Sequence, residues 1–145
     1  MGKTWVVVAD SSRARIFRAE GLDGRLVEVE VMAHPEGRLH EASLTTDLPG
    51  RAFDSHGQGR HAMEEETPPK RHEAIQFAKR IGGMLEGARN AGNYDALVIV
   101  AEPRFLGLLR DNLSRETNKL VELAIDKNLV RQAPEAIRER LPARL

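Results

Sequence analysis

The stretch Tyr94-Asp95-Ala96-Leu97-Val98-Ile99-Val100-Ala101 decides the fold, together with Glu102-Pro103-Arg104-Phe105-Leu106-Gly107-Leu108-Leu109-Arg110, which follows at once. The first part is a short apolar run, rich in β-branched residues and without polar alternation, which is typical of a central strand covered on both faces. Pro103 stands where a helix can begin, because the N–H that proline lacks would be unpaired there anyway. A strand that turns directly into a helix is half of a βαβ unit, and ligands gather at the carboxyl ends of the strands in such sheets.

Length and composition predict one soluble globular domain over residues 1–145, since 41% of the residues are hydrophobic and 30% are charged. Lys+Arg and Asp+Glu both number 22, so any contact with nucleic acid or a membrane needs a local patch of charge. The chain has no cysteine, which excludes disulfides, thiolate catalysis and cysteine-based zinc sites. The first apolar run stops at Asp10, too early for a signal peptide or a membrane span, so we expect a cytoplasmic protein.

The N-terminal part predicts a three-stranded antiparallel meander, with strands at Thr4–Ala9, Ala14–Ala19 and Leu26–Met32. Turn residues separate the strands, at 10–13 and at Leu22-Asp23-Gly24. In the third strand, valines at 27, 29 and 31 alternate with glutamates at 28 and 30, which predicts one buried and one solvated face.

The C-terminal part predicts helices and parallel strands in alternation. A helix is expected from Pro68-Pro69, with Thr67 as its N-cap, to the region of Asn90; its Gly82-Gly83 pair indicates close packing on the sheet. A helix from Pro103 to about Leu113, a strand over Leu120–Asp126 and a helix over Pro134–Leu141 follow, the strand because a crossover after a helix calls for one. The predicted fold class is α/β, a single domain with a mixed sheet of about five strands.

The segment at about 34–69 is polar and lacks periodicity, so it is either functional or disordered; 39–44 could form a helical turn. Within it, Gly57 and Gly59 flank Gln58, and glycine permits the backbone conformations that a loop entering a tight RNA site needs. Gln58 offers both a donor and an acceptor, so it could orient a water molecule or a tRNA 3′ end. Basic residues that could contact RNA lie around it: Arg51, His56, Arg60, His61, Lys70 and Arg71. The alternative is a flexible surface loop without a function.

A second candidate is a sheet-edge site made of Asp10, Arg13 and Glu102. If the strands that precede Asp10 and Glu102 are parallel neighbours, both carboxylates reach the same edge, and with Asp54 or 64–66 they could hold Mg²⁺ for phosphodiester cleavage. The alternative is that Asp10 caps a turn and Glu102 is a solvated residue ahead of a helix.

Histidines and arginines form two further groups that could bind a ligand. The histidines at 40, 56, 61 and 72 match no helical metal-binding pair, so no metal site and no cofactor are predicted; Mg²⁺ enters only with the nuclease alternative. The arginines at 13, 15, 104 and 110 could form a small basic patch, although scattered surface arginines are the commoner arrangement.

Five motifs along the chain form one pattern: Trp5-Val6-Val7-Val8-Ala9-Asp10, Arg13-Ala14-Arg15-Ile16-Phe17, Gly59-Arg60-His61-Ala62-Met63-Glu64, Phe77-Ala78-Lys79-Arg80-Ile81 and 95–110. This pattern resembles that of a known family, the bacterial host-attachment proteins, which are required for attachment to host cells. The resemblance covers nearly the whole chain, and its most specific part is the 95–110 stretch. That family is similar to the central domain of archaeal and eukaryotic peptide-chain release factors and of the ribosome-rescue protein Pelota.

The resemblance implies a mixed-sheet domain of the ribosomal-protein, RNase H-like type. In release factors, a Gly-Gly-Gln loop ahead of a long helix promotes the hydrolysis of peptidyl-tRNA; the matching place here is His56-Gly57-Gln58-Gly59. His56 replaces the first glycine, and an acidic run at 64–66 precedes the helix. We therefore expect a protein that acts on the ribosome or a structured RNA, with Gln58 as catalytic organiser and with no DNA or membrane partner. The alternatives are a non-catalytic interaction protein linked to host attachment, or the Mg²⁺-dependent nuclease.

Overall fold

Five strands and four helices make up the part of the chain that this computed structural model describes, residues 2–34, 68–143 and 145. The strands are β1 (Thr4–Ala9), β2 (Arg13–Glu20), β3 (Arg25–Ala33), β4 (Ala96–Ala101) and β5 (Val121–Ile125). The helices are α1 (Pro68–Asn90), α2 (Pro103–Asp111), α3 (Arg115–Lys119) and α4 (Pro134–Glu139).

The strands form one mixed sheet in the order β3-β2-β1-β4-β5. Strands β1 and β4 pair in parallel from Thr4↔Ala96 to Ala9↔Ala101, and β5 continues this parallel half. Strand β2 is antiparallel to both β1 and β3, as the meander requires. Every residue of β1 and β4 is buried, which confirms that the apolar run at 96–101 is a central strand. The α/β fold class and the expected strand at β5 are confirmed as well.

Two apolar layers cover the sheet, one on each face. On the helix face, α1 and α2 pack on the sheet through fully buried side chains that include Phe77, Ile81, Leu85, Phe105 and Leu109. On the opposite face, which we call the tail face, the segment after β5 packs against the valines of β1 and β4. Its buried side chains are Leu129, Val130, Ile137 and Leu141.

Two arginines fasten this C-terminal segment to the meander. Arg15 donates through Nη1 to the carbonyls of Val130, at 3.0 Å, and Gln132, at 2.6 Å. Arg138 donates to the β2–β3 turn, at Gly24 O (2.9 Å) and Asp23 O (3.1 Å). It also donates to the chain that follows α4, at the carbonyls of residues 142 (2.7 Å) and 143 (2.9 Å). The tail face is thus closed by charged donors on main-chain acceptors, which are stronger than neutral hydrogen bonds.

Strand β3 departs from the predicted alternation. The register slips between Ile16 and Phe17 of β2, so that they face Glu30 and Glu28, and Val29 becomes the extra residue of a bulge. Val31 is consequently 59% exposed, whereas Val29 packs against the helix-face core. The prediction of one buried valine face is therefore wrong beyond the bulge.

The predicted helix from Pro103 to about Leu113 ends two residues earlier than expected, and a short helix that the sequence analysis did not predict follows it. Helix α2 stops at Asp111 with Asn112 as its C-cap, and Ser114 then starts the separate helix α3 by accepting a hydrogen bond from Thr117 N at 3.1 Å. The terminal helix also ends earlier than expected, at Glu139.

The glycine pair of α1 packs differently from the prediction. A Cβ on Gly82 would lie 2.5 Å from the carbonyl oxygen of Asn112, so Gly82 allows a close approach to the end of α2 and not to the sheet. A Cβ on Gly83 would meet nothing within 4 Å. The two neighbouring glycines therefore have different physical roles.

None of the described helices combines the length and the apolar character that a membrane crossing requires.

Candidate functional site

The carboxyl edge of the parallel strands brings Asp10 and Glu102 to neighbouring positions. Ala9 and Ala101, the last residues of β1 and β4, are register partners, and the two acids follow them directly. Asp10 Oδ1 accepts the main-chain N–H groups of Ser12, at 2.8 Å, and Arg13, at 2.9 Å. Glu102 Oε1 accepts the N–H of Phe105 at 2.6 Å and is the N-cap of α2.

Both carboxylates therefore cap a local element of the backbone. Asp10 fixes the β1–β2 turn and thereby sets Arg13 at the start of β2, and Glu102 starts α2. Among the described residues, no three acids or histidines are grouped so that they could hold a metal ion. A Mg²⁺ site would have to draw on Asp54 or the run at 64–66, which lie outside the described residues, so the nuclease alternative stays a prediction.

The polar segment 35–67 is flanked by residues that lie at this same edge. His34, which follows β3, is 7% exposed, and its N–H donates to Ser12 O at 2.9 Å. Its ring stacks on Phe77 of α1 with 5.7 Å between centroids, and Phe77 in turn lies 5.9 Å from Phe105. Arg80 Nη1 donates to Ala33 O at 3.2 Å. His34, the last described residue before this segment, thus lies beside the β1–β2 turn that Asp10 caps.

Helix α1 extends beyond the aromatic row at this edge. Pro68 stands nine positions before Phe77, so at 1.5 Å per residue the helix begins about 14 Å from that row along its axis. Lys70, Arg71 and His72 on these turns are exposed, and the first turn has no acidic residue. Arg104, also exposed, lies at the start of α2 beside the same row. The N-terminal turn of α1 and the exposed cations on it therefore make this end of the molecule favourable for an anion.

Most residues of the predicted RNA-contacting loop lie outside the described residues: Arg51, His56, Gly57, Gln58, Gly59, Arg60 and His61, as do His40 and the 39–44 turn. Of the predicted contact residues, the structure describes Lys70 and Arg71 and places both on the projecting end of α1. Arg13 and Glu102 lie at the base of that projection, by the sheet.

Sequence reasoning missed a polar cluster at the far end of the helix layer. Glu86 Oε1 accepts from Ser114 Oγ at 2.7 Å and Thr117 Oγ1 at 2.8 Å, and Oε2 pairs with Arg89 Nη2 at 2.8 Å. The hydrogen bond from Arg89, followed by those from the two hydroxyls, lowers the pKa of Glu86 to about 2. This cluster ties α1 to α3. Its sequence signals were the i,i+3 spacing of Glu86 and Arg89 and the serine three residues before a threonine.

Tyr94 lies near this cluster and contacts α1 one residue before Glu86. It is 2% exposed and donates its hydroxyl proton to Leu85 O at 2.6 Å. Burial raises the pKa of Tyr94, so the phenol stays neutral as a donor.

A family model described as "Protein required for attachment to host cells" matches residues 5–141 of this chain. A search of the curated proteins found no match. Among solved structures, an archaeal translation termination factor, aRF1, is similar over 97% of this chain and 35% of its own, with 12% identity and a TM-score of 0.49. A Ppx/GppA phosphatase from Aquifex aeolicus is similar over 86% of this chain and 36% of its own, with 14% identity and a TM-score of 0.39. The chain spans about a third of the length of both proteins, and at these TM-scores the likeness does not extend to function.

Proposed function

We propose that this chain, which belongs to the family of proteins required for attachment to host cells, binds the phosphate backbone of RNA at the basic end of α1, by the carboxyl edge of its sheet. The observation that supports this most is the projecting end of α1, where Lys70, Arg71 and His72 are exposed. Phosphate contacts from such residues supply most of the affinity of proteins for nucleic acids and need no base recognition.

The electrostatics of this end of α1 favour the same partner. The chain as a whole has no net charge, so an attraction to RNA has to be local. The N-terminal end of α1 carries the positive end of its helix dipole, and its first turn has no acidic residue. The acidic residues at the sheet edge, Asp10 and Glu102, accept main-chain N–H groups, so we assign the phosphate contacts to the basic end of α1 and not to the sheet edge itself.

The loop around Gln58 adds the chemical part of the proposal. Residues 35–67 connect His34, at the carboxyl edge, to the start of α1. RNA bound along the basic end of α1 would therefore lie close to one end of the segment that carries Gln58. Gln58, between two glycines, would orient water at the ester bond of a peptidyl-tRNA on a stalled ribosome.

RNA binding is tested by fluorescence anisotropy with a labelled single-stranded RNA and with bulk tRNA, titrated at several salt concentrations. We expect Lys70→Ala/Arg71→Ala to weaken binding and to reduce the slope of log K against log salt by about 1.4, which is two phosphate contacts on a single strand. The matched control is Arg115→Ala/Lys119→Ala, which removes two exposed positive charges from α3. Equal binding by the two double variants would reject the proposed interface.

The role of Gln58 is tested separately on stalled ribosomes that carry peptidyl-tRNA. Gln58→Ala should leave co-sedimentation with ribosomes intact and abolish peptide release, whereas Gln76→Ala, at an exposed glutamine of α1, should change neither. Release that is unchanged in Gln58→Ala would reject the catalytic part and leave the RNA interface standing.

The family description favours a second candidate function, that of a non-catalytic interaction protein linked to host attachment. The two candidates differ in what the basic end of α1 should do for attachment. A deletion strain that is complemented for host-cell adhesion by Lys70→Ala/Arg71→Ala as well as by the natural sequence would favour the second candidate.

A further inference from the structure

A groove of about 440 Å³ opens on the helix face, between the second half of α1 and strand β3. Val29 and Glu30 form the strand side, and Gly83, Met84 and Gly87 form the helix side. Trp5 of β1 also lines the groove. This groove lies toward the opposite end of α1 from the basic residues of the proposed RNA interface.

On the helix side of the groove, two glycines stand where the packing of the fold would allow larger side chains. A Cβ at Gly83 or at Gly87 would meet nothing within 4 Å, in contrast to the tight contact at Gly82. Glycine inside a helix costs about 1 kcal/mol relative to alanine, so these two positions weaken α1 without serving a contact within the described residues. What the two glycines do provide is open space over the helix backbone.

Trp5 supplies an independent sign of a missing partner. Its side chain is 8% exposed, yet its Nε1 donor has no acceptor among the described residues. A buried N–H without a partner is unfavourable by about 1–3 kcal/mol. Because Trp5 also lines the groove, its indole N–H reports on what enters it.

Strand β3 determines what kind of occupant fits. Within the described sheet it is an edge strand, so one side of its main chain carries N–H and C=O groups that no described strand pairs. Glu28 is held by Arg15 at 2.7 Å, whereas Glu30 is exposed at the groove and has no ion-pair partner among the described residues. Pairing with a second copy of β3 would bring glutamates together across the new interface, which is unfavourable. A basic strand is the complementary partner.

We infer that this groove and the edge of β3 bind an extended peptide in which apolar residues alternate with lysine or arginine. Its main chain pairs with β3 and its basic side chains point to the groove face, where their aliphatic stems lie over Gly83 and Gly87 and one charged group pairs with Glu30. This mode is β-strand addition, in which main-chain hydrogen bonds provide affinity and side-chain pockets provide specificity.

The test uses an acetylated hexapeptide in which valine alternates with lysine, added at millimolar concentration to the isotope-labelled protein and followed by NMR. Shifts are expected in three places: the amides of β3, residues 83–88 of α1 and the indole N–H of Trp5. Replacing the lysines of the peptide by glutamate should weaken binding at least about tenfold, because like charges then face each other at Glu30. In Glu30→Lys the preference should reverse.

The matched variants are Gly83→Leu/Gly87→Leu, which fills the groove, and Gly107→Leu, which makes the same change at an exposed site on α2 where a Cβ also meets nothing. Only the first should lose the peptide; Gly83→Ala/Gly87→Ala serves as a milder second variant. Three results would overturn the inference: no shifts at these sites, equal binding by the two leucine variants, or sedimentation showing that the groove instead joins two copies of the chain.

Discussion

Gly82 and Gly83 are neighbours on one helix, and the structure predicts opposite effects for the same substitution. In Gly82→Ala the new Cβ would lie 2.5 Å from Asn112 O and 3.4 Å from Asn112 C. Both atoms belong to the backbone at the end of α2, so no flexible side chain can move aside. In Gly83→Ala the new Cβ has open space.

The magnitudes follow from two opposing contributions. Alanine is better than glycine inside a helix by about 1 kcal/mol, and this gain applies at both positions. Overpacking against a fixed neighbour is unfavourable by about 1–3 kcal/mol, and this applies at Gly82 alone. The chain near Asn112 has little freedom to retreat, because its N–H bonds Leu109 O at 3.0 Å and the next residue, Leu113, is buried. We expect Gly83→Ala to gain up to about 1 kcal/mol and Gly82→Ala to lose about 1–2 kcal/mol.

The assay is urea unfolding followed by the fluorescence of Trp5, the single tryptophan of the chain, which is buried next to α1. Thermal unfolding should show the same order, with about 2–4 °C for each kcal/mol in a chain of this size. If Gly82→Ala proved as stable as Gly83→Ala, the close approach between α1 and α2 would not exist as described, and the explanation of the glycine pair would be wrong.

Three further predictions concern the tail face, the polar cluster and the RNA interface. Arg138→Ala removes four hydrogen bonds to carbonyls and should lower the free energy of unfolding by about 2 kcal/mol in urea titrations, while exposed Arg140→Ala should change it little. Because the pKa of Glu86 falls from 4.5 to about 2 on folding, its contribution is complete above pH 4.5 and is lost as the pH falls toward 2. The difference in the free energy of unfolding between the natural protein and Glu86→Gln should therefore disappear over that pH range. The control Glu139→Gln, at an exposed glutamate of α4, should show no such pH dependence. Substituting Glu64–Glu66 by glutamine should strengthen RNA binding in the anisotropy titration, and unchanged affinity would contradict the phosphate-binding role of the neighbouring basic residues.

The fold could be predicted from the sequence where a pattern has one physical meaning. The apolar run at 96–101 is too short for a helix and has no wet face, so it had to be a covered strand. The assignment of β5 depended on topology, since a strand, a helix and a second parallel strand form the usual crossover. The packing of the C-terminal segment on the tail face could not be predicted from the sequence. Arg138 holds this segment by hydrogen bonds to main-chain carbonyls, and every residue type has a carbonyl, so no sequence pattern marks the partners.

The sequence could predict where the candidate site lies, but not which hydrogen bonds its residues make. Parallel pairing of β1 and β4 brings Asp10 and Glu102 to one edge, as the spacing of the two acids after their strands indicated. Their hydrogen bonds then match the structural alternative for Asp10, a turn cap, and add for Glu102 a helix cap that the sequence did not predict. The groove could not be predicted from the sequence, because nothing in the sequence distinguishes Gly83 and Gly87 from other glycines in helices. They line a groove only because β3 lies beside them in the fold.

Helix α1 carries both proposed surfaces, and its length makes them electrically independent. Thirteen residues separate Lys70 from Gly83, which is about 20 Å along the helix axis. The screening length at physiological ionic strength is about 8 Å, so Glu30 at the groove does not weaken the attraction of RNA to the far end of the helix. A chain without net charge can therefore hold a basic surface at one end and an acidic one at the other. Substitutions on the two surfaces should therefore have additive effects on the binding of RNA and of the peptide. The peptide should not displace RNA from either leucine variant. Displacement from Gly107→Leu but not from Gly83→Leu/Gly87→Leu would show that the groove and the RNA interface are coupled, against this expectation.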